Sequence, residues 1–151
     1  MSAKSCRNFL MTALSLAMFS GVALASHHHE LNGTWQLVAS RCQFNGEPAI
    51  EAGTVSINDR EGNIWVERSF SLEDGNKTVT TNLATDSRHG STIKEPGFRS
   101  KAKWDGDVLK VMTNHEGVIT AERYQLASDG GMLMQVERSG RQPETLYFQH
   151  Q

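Results

Sequence analysis

The chain has 151 residues, a length at which we expect one domain, since a single hydrophobic core commonly serves about 100–200 residues. Its 15 Lys and Arg stand against 17 Asp and Glu, a formal charge of −2. That balance argues against a nucleic-acid partner, which requires a basic surface.

Residues 1–25 read as a signal peptide. Lys4 and Arg7 give a positive start, residues 9–19 an apolar stretch, and Ala23-Leu24-Ala25 a small-residue cleavage site. The stretch is broken by Thr12, Ser15 and Ser20 and falls short of the roughly 20 apolar residues of a membrane span. With no cysteine directly after it to carry a lipid, the expected mature protein is soluble, periplasmic or secreted, and begins at Ser26. Cleavage removes two basic and no acidic side chains, so the formal charge falls from −2 to −4. It also removes Cys6 and leaves Cys42 alone in an oxidising compartment, as a small buried residue or as a thiol that pairs with another chain.

Residues 26–30 form a His-rich leader. With Ser26 at the terminus, the free amine, two backbone nitrogens and the His28 imidazole suit square-planar Cu(II) or Ni(II). The other reading is a polar leader that binds nothing. His89, His115 and His150 show no spacing that suggests zinc.

From residue 34 onward, short runs rich in β-branched and aromatic residues alternate with Gly, Asp and Asn clusters. This pattern predicts strands over residues 34–40, 54–58, 63–72, 77–85, 98–104, 108–114, 118–126, 132–139 and 145–150. Residues 42–53 are expected to form a loop or short helix across one barrel end, and residues 86–97 a polar loop. The connections are short and glycine-bearing, as at Asp105-Gly106 and Glu116-Gly117. Sequence neighbours should therefore pair antiparallel, as in an up-and-down barrel of about eight or nine strands whose edges are hidden by curling. Period-two alternation sets Ile64, Val66, Phe70 and Leu72 on one face with Arg68, Met132, Met134 and Val136 with Arg138, and Val118, Thr120, Tyr124 and Leu126 with Glu122. The expected interior is apolar with a few polar groups.

The opening Leu31-Asn32-Gly33-Thr34-Trp35-Gln36-Leu37 resembles the Gly-x-Trp entrance to the first strand of lipocalins and related calycin barrels. The remainder, through Trp104-Asp105-Gly106-Asp107-Val108-Leu109 and Leu126-Ala127-Ser128-Asp129-Gly130, is similar to small secreted bacterial lipocalin-like domains. The likeness spans most of residues 31–151. It implies structural roles for Gly33 and Trp35, with Trp35 at a closed barrel end, beneath Arg138 or Arg123. It also implies a capacity to hold a small apolar molecule, though a fold does not by itself name a ligand.

An inward Arg68 requires a counter-charge. A ligand carboxylate meets that need, as does an internal ion pair with Glu122, and a bulge that turns Arg68 to solvent removes it. The candidate ligand-binding residues are Arg68, Phe70, Tyr124, Met134 and Arg138, with Trp65 and Trp104 as further wall residues; each aromatic or Met can equally be plain core. The sequence lacks a Gly-x-Ser-x-Gly elbow, a Cys-x-x-Cys pair and a phosphate-cradling loop. The expected function is non-catalytic binding of a small hydrophobic or amphipathic, lipid-like molecule. The alternatives are a protein-interaction module, such as an inhibitor of an external enzyme acting through residues 86–97, and a barrel isomerase or cyclase.

Overall fold

Alternating apolar and polar residues give one wettable face and one that must be covered, and here the sheet covers it by curling on itself. The computed structural model describes residues 29–60, 63–73, 75, 77–78, 83–86, 92–95 and 97–151. The expected signal peptide and the His28 metal site lie outside them.

Among the described residues the strands are β1 (Gly33–Leu37), β2 (Ile50–Arg60), β3 (Asn63–Leu72), β4 (Lys77–Thr78), β5 (Leu83–Asp86), β6 (Thr92–Glu95), β7 (Phe98–Asp105), β8 (Val108–His115), β9 (Val118–Leu126), β10 (Met132–Arg138) and β11 (Glu144–His150). All join one antiparallel sheet. From β1 it runs one way through β2 to β3, which carries both β4 and β5, and the other way through β11, β10, β9, β8 and β7 to β6. It curls far enough that β5 comes against β6 and β7. The only helical pieces among the described residues are single 3₁₀ turns at His29–Leu31 and Ala39–Arg41.

Several boundaries differ from the sequence reading, each for a local reason. The first strand stops at Leu37 because the chain turns through Ala39–Arg41. β2 begins at Ile50, inside the expected loop, because a register shift between Ile50 and Ala52 absorbs the break in alternation. Of the expected strand 77–85 the described residues belong to β4 and β5, and the expected loop 86–97 contains β6.

Trp35, Ile57, Ile64, Leu109, Met132 and Phe148 are buried, and with their neighbours they fill the barrel at the Trp35 end. The Trp35 indole nitrogen donates to the Leu31 carbonyl at 2.9 Å. The ring that crosses Trp35 is His150, edge-on with centroids 4.9 Å apart, and neither late-strand arginine takes that place. Arg123 is exposed beside Glu137, and Arg138 bonds Glu144. Alternation in β9 holds at its centre, where Glu122 and Tyr124 are buried, but Val118 and Leu126 at its ends are exposed.

Gly33 has φ +128°, and a Cβ there would lie 2.3 Å from the His150 imidazole. This backbone region is nearly closed to other residues. Gly33→Ala is therefore expected to cost about 1–3 kcal/mol, read as a lower urea midpoint with unchanged slope; an unshifted midpoint would contradict the conformation.

Candidate functional site

Among the described residues, a hollow opens at the barrel end away from Trp35. An open cavity of about 370 Å³ enters it, and its apolar wall is built from Ile50, Phe70, Leu72, Met134, Val136 and Leu146. β3, β10 and β11 supply most of this wall through their inward-facing alternate positions. Phe70 pairs across the sheet with Gly53, where a Cβ would meet its ring at 2.3 Å. Glycine thus leaves room for the phenyl ring to lie over the neighbouring strand.

Beside Pro48, three arginines and three glutamates complete the lining: Arg68, Arg138, Arg141, Glu47, Glu122 and Glu144. They form two groups. In the inner one, Arg68 bonds Glu122 Oε1, and the Tyr124 hydroxyl donates to Glu122 Oε2 at 2.8 Å. The Arg68 and Glu122 side chains are only 12% and 6% exposed. Burial works against the Arg68 charge, but the facing Tyr124 and Glu122 outweigh it and hold the guanidinium protonated. Burial pushes the Tyr124 hydroxyl well above its ordinary range, so it stays a neutral donor.

The outer group joins the β10–β11 turn to the loop before β2. Arg138 Nη1 donates to Glu144 Oε1 at 2.7 Å and lies 3.4 Å from Glu47 Oε2, the same oxygen that Arg141 bonds. Burial raises the Glu144 carboxyl above the usual carboxylate range against the pull of Arg138. For Glu47 the bond from Arg141 lowers it. The loop carrying Glu47 is tied down by the pairing of Gln43 with Thr145 and by the Glu73 amide donating to the Ala49 carbonyl at 3.0 Å.

Of the residues singled out in the sequence, Arg68, Phe70, Met134 and Arg138 meet at this cavity. Tyr124 lies behind the wall, fully buried, and reaches the cavity through Glu122. Arg68 takes the internal ion pair with Glu122, one of the alternatives open from sequence. Trp65 and Trp104 are not wall residues: Trp65 faces out at 50% exposure, and the Trp104 indole donates to Asp59 Oδ2 at 3.2 Å. Glu47, Arg141 and Glu144 were missed. Glu144 lies one residue before the predicted start of the last strand, where the Glu144, Leu146, Phe148 alternation marks it as inward; Glu47 and Arg141 sit in segments without periodicity.

Cys42 is half-buried, its Sγ donating to the Val38 carbonyl and accepting from the Tyr147 amide, both at 3.4 Å. Burial raises its thiol above the ordinary range, which disfavours the thiolate. Among the described residues no three His, Cys, Asp or Glu side chains come together to hold a metal ion.

A curled antiparallel meander filled at one end and hollow at the other is a calycin-like β-barrel. Wild-type UnaG, a fluorescent protein, shares the fold with a TM-score of 0.60 over 82% of this chain and 98% of its own, at 13% identity. A single-site mutant of UnaG gives 0.62 over 82% and 97%, at 14% identity. An abundant heat soluble (SAHS) protein from Ramazzottius varieornatus gives 0.58 over 81% and 96%, at 12% identity. No protein-family model and no curated protein matches the sequence.

Proposed function

We propose that the chain is an exported, non-catalytic carrier that holds a small amphipathic, lipid-like molecule in the open end of its barrel. The supporting observation is the cavity. At about 370 Å³ it falls within the roughly 300–1,000 Å³ of small-molecule pockets, and its wall joins one apolar surface to a few charged groups. A greasy tail has somewhere to leave water, and a polar head has hydrogen-bonding partners. All six charged side chains of the lining are engaged in ion pairs, which suits orientation of a ligand better than proton transfer.

Two measurements test this reading. Native mass spectrometry of the protein from its producing cells should show a co-purified small amphiphile. Leu72, half-buried at the end of β3, lines the cavity; Leu72→Trp should weaken a fluorescent fatty acid by about tenfold or more, roughly 1.4 kcal/mol, with the circular dichroism of the barrel retained. Equal affinity in a folded variant would place any binding elsewhere.

A further inference from the structure

The two arginine groups of the cavity differ in how readily they release their partners. Glu122 is enclosed, with Arg68 on one oxygen and the buried Tyr124 hydroxyl on the other. Taking one member from such a buried pair leaves an uncompensated charge behind, so an entering ligand head has little prospect of displacing it. The outer group is built otherwise. The Arg138 and Arg141 side chains are 37% and 56% exposed, while the Glu47 carboxylate between them is 14% exposed, and ion pairs open to water on one side hold less strongly than enclosed ones. Their shared partner, Glu47, sits in a loop between β1 and β2 rather than on a strand, so its side chain can rotate away while the loop's tethers at Gln43 and Ala49 stay in place.

Both guanidinium groups converge on a single carboxylate oxygen, Glu47 Oε2. A compact anion of similar geometry fits the same place, since guanidinium recognises carboxylate and phosphate alike. Glu144, buried on the inner side, keeps its own 2.7 Å bond to Arg138 and so holds that side chain in position. Deepening the carrier reading, on which this rests, we infer that the anionic head of an amphiphile, a carboxylate or a phosphate monoester, replaces Glu47 between Arg138 and Arg141. The head then sits at the mouth and the tail runs inward along Phe70, Met134 and Val136, leaving the Arg68–Glu122 pair intact.

The experiment is displacement of the neutral probe N-phenylnaphthylamine by laurate, monododecyl phosphate and dodecanol. At least one anion should bind about tenfold or more tightly than dodecanol, and which of the two does so identifies the head. Arg141→Gln should bring that anion down to the level of the alcohol without changing the alcohol itself. Glu47→Gln, by removing the competing charge, should tighten the anion several-fold and leave dodecanol unaffected. Arg68→Leu, with the Arg68→Leu/Glu122→Leu double variant as its folded counterpart, should keep the preference for the anion. Equal affinity of anions and alcohol in the wild type would overturn the inference, as would loss of the preference on replacing Arg68 but not Arg141. Failure of the probe and all three amphiphiles to bind would overturn the carrier reading itself, a distinguishable outcome.

Discussion

Glu122→Leu is expected to lower stability by about 3–5 kcal/mol, because it leaves the Arg68 guanidinium shielded from water without a counter-charge. The double variant Arg68→Leu/Glu122→Leu should recover most of that loss, since apolar residues of similar size commonly replace a buried ion pair at little cost. What remains is the Tyr124 hydroxyl, which has then lost its acceptor and carries a penalty of about 1–3 kcal/mol. Adding Tyr124→Phe should remove much of this remainder. Urea unfolding of the four proteins reads the whole cycle. A Glu122→Leu variant as stable as wild type would show that Arg68 reaches solvent and that the inner group is not a closed unit.

Trp35→Ala should produce a loss of similar size. Trp35 is buried at the filled end of the barrel, between β2 and β11, opposite Val55 and His150. Removing a buried aromatic side chain typically costs about 3–5 kcal/mol, through lost transfer free energy and the cavity left behind. Trp35→Phe is the milder change, because an aromatic ring remains while the indole N–H bond to the Leu31 carbonyl and part of the ring volume are given up; the lost bond alone is expected to cost about 1–3 kcal/mol. If alanine cost under about 1 kcal/mol in the same unfolding experiment, Trp35 would not be a keystone of the core.

Much of the architecture was legible because period-two alternation is a local signal. Ile64, Val66 and Arg68 were placed on one face of a strand from spacing alone, and Val55 and Ile57 lie across from Arg68 and Val66 in the next. Alternation failed where the chain bends. The register shift near Ile50 hid the start of β2, and Val118 and Leu126 follow the interior pattern at the ends of β9 yet are exposed. The candidate site was legible in the same measure. Side chains on regular strands, Arg68, Phe70, Met134 and Arg138, could be set facing inward. Glu47 and Arg141 could not, because their meeting depends on how a loop and a turn from distant parts of the sequence come together. Charge and facing make Glu122 one of the partners open to Arg68 in the sequence, and Tyr124, two residues along the same face, joins it for the same periodic reason.

The pairing of Trp35 with His150 sets an order on events in the life of the molecule. A strand from near the beginning of the domain takes its second neighbour from near the end, so the sheet stays split at β1 until β11 has been synthesised and delivered. Contacts so remote in sequence form slowly, since a long loop of chain must be ordered first. A nascent chain lacking β11 thus leaves that edge of β1 bare until the last strand arrives.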